Sequence, residues 1–331
     1  MRLLERSVFI FKGSVIMKRI VSFVLMCALL MFAGCVAQNT NNAPEKSAVI
    51  FTDDLGRTVS VSEYKRTAAL IGSFADVWQL AGGNVCASAD DAWDDFELYL
   101  PEDTVNLGKT KEISLEKLLY SDPDFVLASA NTKANLDIMQ TLENAGITVA
   151  YFDVSDFEDY LRMLKICTDI TGRADLYEAN GLSIKSRIDS ITAYTKEHFG
   201  VDAPTVLCLR ASAASIRAKN SKDNVLGEML ASLGCINIAD SEDSLLENLS
   251  VEKIMLADPD FIFTVQVGDD TQGVEKNLES FIADNPAWSE LSAVKNGRVY
   301  HMDKRLYNLK PNALWAQAYE QLKEILIDEQ T

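Results

Sequence analysis

The chain is poor in the residues that most often carry chemistry. Two histidines, His198 and His301, occur in 331 residues, and neither stands in an HExxH motif or another metal-binding spacing. A GxSxG nucleophile motif and a phosphate-binding loop are also missing. We therefore predict no enzymatic activity, no cofactor and no dedicated zinc or manganese site.

Cysteine is sparse as well. Of six cysteines, Cys27 lies in an apolar N-terminal run and Cys35 ends that run. The other four are scattered and none belongs to a CxxC pair: Cys86, Cys167, Cys208 and Cys235. Such a set does not form a disulfide framework. We expect buried free thiols, with a bridge between Cys208 and Cys235 as the alternative.

Basic residues are few relative to acidic ones. The chain has 31 Lys and Arg against 49 Asp and Glu, and without residues 1–34 the counts are 26 and 48, a formal charge of −22. This charge argues against nucleic acid as a partner and against electrostatic adhesion to anionic lipid. The remaining 297 residues suffice for two domains of ordinary size.

Residues 17–35 have the layout of a secretory signal. A positive start at 17–19 precedes an apolar run at 20–32, and two small residues and Cys35 follow it. The run is too short and wrongly flanked for a membrane span. The Phe-Ala-Gly-Cys end resembles the cleavage box of bacterial lipoproteins, in which the cysteine is lipidated.

These features predict an exported protein. We expect a signal peptide over 1–34, of which 1–16 precede the true start, then lipidation at Cys35 and a polar tether over 35–49. The protein would then be extracytoplasmic, with a lipid anchor in the outer face of the cell membrane. A plain signal peptide with an incidental cysteine is the alternative.

An internal repeat links the two halves of the mature chain. Residues 113–125 and 249–261 share seven of thirteen positions, 136 residues apart. In each copy a serine N-cap precedes a short amphipathic helix, Asp-Pro-Asp ends it, and an apolar run follows. Apolar runs fed by helices are typical of strands buried in a parallel sheet.

Strands and helices alternate on either side of the repeats. We therefore predict an α/β fold of two lobes with mainly parallel central sheets, over 50–172 and 200–331, joined by one long helix. The predicted strands are Ala68–Ile71, Val85–Ala87, Phe125–Ala128, Ile147–Tyr151, Thr205–Leu209, Cys235–Ile238, Phe261–Val265 and Arg298–His301.

The linking helix is predicted over 173–199. Apolar residues recur on one face, no proline interrupts the segment, and Gly200 suits its C-terminal cap. Gly181 in its interior indicates a possible kink. A two-helix hairpin folded at Asn180–Gly181 is the alternative.

Several segments together resemble the solute-binding lipoproteins for iron–siderophores, haem and cobalamin. The resemblance covers about 50–328, and its segments are 52–61, 113–125, 249–261, 287–300 and 306–315. It implies two α/β lobes on one long helix, a ligand cleft between them, and delivery to an ABC permease. It implies a ferric siderophore-type chelate as ligand, with cobalamin or haem as alternatives. We also expect a monomer that binds no nucleic acid, the latter because of the acidic charge.

Candidate ligand contacts follow the carboxyl ends of the predicted strands, where open parallel sheets bind ligands. The loop 303–310 is dense in basic and aromatic side chains, which suits an anionic or planar chelate. Arg210 leaves a buried strand and is a better single candidate than any one residue of this loop. The full predicted set is Ser73, Phe74, Trp93, Lys109, Arg210, Gln266, Lys304, Arg305, Tyr307 and Lys310.

Some readings stay open on the sequence. The loop 303–310 could be a solvated loop that pairs surface carboxylates, and Trp93 with Tyr99 could line a cleft or pack in the core. Glu116 and Glu252 could dock a permease, but their first-turn positions are explained by the helix dipole alone. A tethered ligand sensor or enzyme is the alternative of another class.

Overall fold

The computed structural model describes residues 48–222, 224–247 and 249–328. The predicted signal peptide, Cys35 and the tether up to residue 47 lie outside the described residues. Across these ranges, none of the helices combines the length and apolar character that a membrane crossing requires.

The first half begins with an antiparallel hairpin and continues as a parallel sheet. Strand β1 (Val49–Thr52) pairs with β2 (Thr58–Val61). The sheet has the strand order β5-β4-β3-β6-β7, and every pairing in it is parallel. Its strands are β3 (Thr67–Ala69), β4 (Val85–Ser88), β5 (Val105–Asn106), β6 (Phe125–Ser129) and β7 (Thr148–Phe152).

Helices alternate with these strands, as crossover connections between parallel strands require. They are α1 (Gly72–Leu80), α2 (Asp91–Asp94), α3 (Leu115–Tyr120), α4 (Lys133–Asp137), α5 (Met139–Asn144) and α6 (Phe157–Thr171). Together with the first sheet they form what we call the N-terminal lobe.

The predicted linking helix is continuous from Ala174 to Phe199. It consists of α7 (Ala174–Tyr177), a π-helical turn (Glu178–Leu182) and α8 (Ser183–Phe199), and the junction residues all keep right-handed helical angles. The hairpin alternative is therefore wrong. Gly181 lies in the π turn, where an added Cβ would come within 2.8 Å of the Leu161 side chain, so close packing against α6 explains the glycine.

The second half repeats the parallel arrangement with one addition. Its sheet has the order β10-β8-β11-β12 with parallel pairings, and β9 pairs antiparallel with β8. Its strands are β8 (Thr205–Ala211), β9 (Ile216–Lys219), β10 (Ile236–Asn237), β11 (Phe261–Gln266) and β12 (Val299–Met302). We did not predict β9 or β5, because each is short and β9 contains two basic residues.

The helices of this half, with its sheet, form what we call the C-terminal lobe. They are α9 (Val225–Ser232), α10 (Asp243–Glu247), α11 (Val251–Ala257), α12 (Thr271–Asp284), α13 (Ser292–Lys295), α14 (Lys304–Tyr307) and α15 (Trp315–Asp328). Short 3₁₀ turns occur at Ile238–Asp240, Pro286–Glu290 and Asn312–Leu314. The predicted α/β fold of two lobes with mainly parallel sheets on a long helix is confirmed.

The internal repeat folds alike in both lobes. Ser114 caps α3 and Ser250 caps α11, each by accepting a hydrogen bond from the backbone N–H three residues on. Asp122 and Asp258, the first residue of each Asp-Pro-Asp, both take left-handed angles, with φ of 48° and 41°. Each repeat then enters an interior strand, β6 or β11, that pairs on both sides.

The apolar core runs through both lobes. The largest cluster of buried side chains includes Phe125 and Phe152 from the first sheet and Phe263 from the second, together with Trp315 from α15. The Phe157 and Trp315 rings meet edge to face at 5.9 Å. Cys86, Cys167, Cys208 and Cys235 are free thiols, three of them buried, as predicted.

Candidate functional site

A cavity of about 240 Å³ lies between the lobes, where the carboxyl ends of both sheets meet. The loops after β6 and β7 line it from the N-terminal lobe, and β8, β11, the start of α9 and the loop after α14 line it from the other side. We call it the interlobe cavity, and its lining is Asn131, Asp153, Val154, Ser155, Arg210, Asn224, Val225, Val265, Tyr307, Asn308 and Lys310.

Arg210 reaches this cavity from a buried strand. It is the penultimate residue of β8, opposite Val265 on β11. Its Nε is buried and has no hydrogen-bond partner in the described part of the chain. Burial lowers the pKa of the guanidinium, since no carboxylate compensates the lost hydration. Buried donors normally have a hydrogen-bond partner, and a bound anion would supply one to this arginine.

Lys310 is the second cation of the cavity. Burial lowers the pKa of its ammonium and the charge of Arg210 lowers it further, whereas Asp153 and Asp91 act in the opposite direction. Among the ion pairs and hydrogen bonds of the described residues, none includes the Lys310 side chain. A half-buried lysine without a direct partner is costly unless a ligand supplies the counter-charge.

Arg305 holds the loop 303–310 in place and does not line the interlobe cavity. Its guanidinium pairs with Asp76 of α1 at 3.2 Å and lies 4.0 Å from the ring centre of Phe96. It also donates to the Lys310 carbonyl oxygen at 2.6 Å. The pKa of Asp76 is raised, chiefly by burial, although Arg305 opposes the shift. Arg305 therefore joins the lobes and positions the backbone of Lys310.

Asn312 anchors the same loop to the N-terminal lobe. It adopts a left-handed φ of 56° and its amide donates to the Ser73 carbonyl and to Asp76, both at 2.9 Å. Asparagine tolerates this conformation better than most residues because its side chain is short and polar. The predicted contact Ser73 is 3% exposed, so it serves this anchor through its backbone.

Lys304 also spans the two lobes. Its ammonium lies 2.7 Å from Asp95, which follows α2, and 2.7 Å from Asp269, which follows β11. The charge of Lys109 contributes to the lowered pKa of Asp269, although Lys304 is the main cause. These four residues form a network of charges across one end of the cleft.

The parallel sheets, the long helix and a site at the strand ends narrow the possible families. Residues 68–306, more than two-thirds of the chain, match the family model described as periplasmic binding protein. The chain belongs to that family.

Curated relatives of this binding protein match most of its length. The putative ABC transporter substrate-binding lipoprotein YhfQ of Bacillus subtilis is 21% identical over 91% of this chain and 95% of its own. The Fe(3+)-citrate-binding protein YfmC of the same organism is 26% identical over 85% of this chain and 88% of its own.

A solved structure shares the fold. Staphylococcus aureus IsdE complexed with heme superposes with a TM-score of 0.65 at 17% identity, over 80% of this chain and 99% of that one. At this identity the likeness establishes the fold of the binding protein alone.

The remaining predicted ligand contacts lie in different parts of the structure. Phe74 is 1% exposed and packs edge to face on Phe152 in the core. Trp93 is half-buried against the same core, whereas Tyr99 is 96% exposed. Gln266 lines a different cavity, beneath α12.

Tyr307 lines the interlobe cavity, but its hydroxyl donates to the Ala318 carbonyl at 3.0 Å and contacts Gln321. Of the ten predicted contacts, the interlobe cavity of this binding protein brings together Arg210, Tyr307 and Lys310. Asn224 was missed. It is the N-cap of α9, and an asparagine before an apolar helical run was the available signal.

Proposed function

We propose that this binding protein captures an anionic ferric chelate, of the citrate or siderophore type, in the interlobe cavity. The observation that carries the proposal is the pair Arg210 and Lys310, two cations without direct carboxylate partners in a strongly acidic protein. An anionic ligand would satisfy the buried Nε of Arg210 and would favour the charged form of Lys310, whose pKa burial lowers.

The relatives support this ligand class. YfmC is named for Fe(3+)-citrate, an anionic iron chelate, and it aligns with 85% of this chain. YhfQ is named as an ABC transporter substrate-binding lipoprotein. Delivery of the chelate to an ABC permease, by a monomer anchored outside the membrane through Cys35, is part of the same proposal.

The lining of the interlobe cavity does not favour haem. The volume of this cavity alone is about 240 Å³, below the ~300–1,000 Å³ that is typical of ligand pockets. Haem iron takes His, Met, Cys or Tyr as axial ligand. Of these, the described lining offers Tyr307, whose hydroxyl is already hydrogen-bonded inside the C-terminal lobe.

Thermal unfolding with ferric citrate, a ferric catecholate, a ferric hydroxamate, haem and cobalamin tests the proposal. A ligand at 100 times its Kd adds about 2.7 kcal/mol to the free energy of unfolding, which is seen as a higher midpoint. We expect this shift with a ferric chelate. Binding of haem or cobalamin alone, or of no member of the panel, would contradict the proposed function.

Substitutions at the two cations provide the site-specific test. Arg210→Gln and Lys310→Gln should each weaken chelate binding by at least about tenfold, because a charge-assisted hydrogen bond is worth roughly 1.5–3 kcal/mol. Arg187→Gln is the matched control, since Arg187 is exposed and its contact with Glu320 is 3.8 Å long. Equal chelate affinity of the wild type and of both variants would mean that the chelate binds elsewhere on the protein.

A further inference from the structure

Strand β9 places two further basic residues beside Arg210. In the antiparallel pair of β8 and β9, Arg217 stands directly opposite Arg210, and Lys219 stands opposite Cys208. Directly opposite residues share a face of the sheet, as do residues two apart on one strand. Arg217 and Lys219 therefore lie on the same face as Arg210.

A second cavity, of about 330 Å³, adjoins these side chains. Its lining contains three cations and two serines but no carboxylate among the described residues. Arg210 lines both this cavity and the interlobe cavity, so the two cavities share this residue. The lining is Arg210, Ser212, Ser215, Arg217, Lys219 and Val267.

The arrangement is unfavourable for the protein alone. Like charges directly opposite each other on paired strands are destabilising. The chain has 49 acidic residues available as partners, yet Arg217 makes no ion pair with any described residue. The Ser212 hydroxyl accepts from the Ser215 backbone N–H at 3.0 Å, which holds the turn that sets Arg217 beside Arg210.

We infer that this second cavity is an anion subsite that continues the interlobe cavity past Arg210. The chelate then carries at least two separate anionic groups, one between Arg210 and Lys310 and another that reaches Arg217. Free carboxylates on a ferric polycarboxylate fit this spacing, whereas a neutral ferric trihydroxamate leaves Arg217 without a partner. The inference rests on the proposed function and names the class of chelate.

The test compares two probes on four proteins. Binding of ferric citrate and of a neutral ferric trihydroxamate is titrated by tryptophan fluorescence with the wild type, Arg217→Gln, Arg217→Lys and the control Arg187→Gln. We expect Arg217→Gln to weaken ferric citrate about tenfold and to reduce the loss of affinity with added salt, because one exposed charge is removed. The affinity of Arg217→Lys for ferric citrate should lie within about threefold of the wild-type value. The affinity of Arg187→Gln should equal the wild-type value.

The outcomes separate this inference from the proposed function. Tight ferric citrate binding with an unchanged affinity and salt dependence in Arg217→Gln would overturn the subsite and leave the function intact. Binding of the trihydroxamate alone would do the same. A wild type that binds no chelate of the thermal panel would overturn both. Since Arg217 is exposed and stands opposite another cation, the unfolding midpoint of Arg217→Gln should equal or slightly exceed that of the wild type, which verifies that the variant is folded.

Discussion

At the scale of single residues, the cations of the predicted ligand loop have different roles. Lys304 and Arg305 are neutralised by carboxylates of the opposite lobe, whereas Lys310 is not. All three stand within seven residues of the chain. The partners in the opposite lobe, Asp95 and Asp76, lie more than 200 residues away, so no local pattern distinguishes a structural cation from a ligand-binding one.

Asp91 allows a prediction on pH dependence. Its carboxylate accepts from the Gly72 N–H at 2.8 Å, and burial raises its pKa to about 6. A raised carboxyl pKa means that the folded state prefers the protonated form, so stability is lost as the pH rises from about 4 to 6. Asp91→Asn keeps the acceptor and should stabilise the protein by roughly 1–3 kcal/mol at pH 7.5, but hardly at pH 3.5.

Chemical denaturation at the two pH values measures this difference. Asp94→Asn is the control, because Asp94 belongs to the same short helix and its side chain is exposed. It should change the free energy of unfolding by less than about 0.5 kcal/mol at either pH. A destabilised Asp91→Asn at pH 7.5 would mean that the charged carboxylate is needed there.

At the scale of elements, the repeat is a unit of helix, turn and strand that is used once in each lobe. Its serine caps, its left-handed aspartates and its interior strands recur in both copies. The caps and the strands were predictable, since capping and proline effects depend on residues within one or two turns. The left-handed angles at Asp122 and Asp258 were not predicted, because they depend on how each helix meets its strand.

The two caps should contribute equally and independently. Ser114→Ala and Ser250→Ala should each lower the free energy of unfolding by about 1 kcal/mol, since each removes the acceptor for an orphan helix N–H. The double variant should lose about 2 kcal/mol, because the sites lie in different lobes. Ser190→Ala, inside α8 and exposed, should be within about 0.5 kcal/mol of wild type in the same urea titrations. A much larger loss at one cap would contradict the equivalence of the repeats.

At the scale of the whole molecule, the lobes are held together by a shared apolar core and by ion pairs. Buried aromatic residues of both sheets belong to one apolar cluster with α15, and Lys304 and Arg305 pair across the cleft. The linking helix adds a continuous connection. Large relative motion of the lobes would break this shared packing, whereas a small closure would keep it.

This packing predicts cooperative unfolding and a small closure. Calorimetry should show a single transition for residues 48–328, because neither lobe can lose its half of the shared core alone. Small-angle scattering with and without saturating chelate should give nearly the same radius of gyration. Two resolved transitions, or a contraction typical of a hinged clamp, would contradict a common core.

The sequence by itself determined most strands of the two parallel sheets, the repeat, the linking helix and the strand-end position of the site. These follow from hydrophobic period, caps and prolines, whose effects act over a few residues. Only the tertiary structure decided that Gly181 lies in a π turn, that Lys304 and Arg305 pair across the cleft, and that Arg210 stands opposite Arg217. Each of these depends on the register and distance of segments far apart in the chain, and local preference does not specify them.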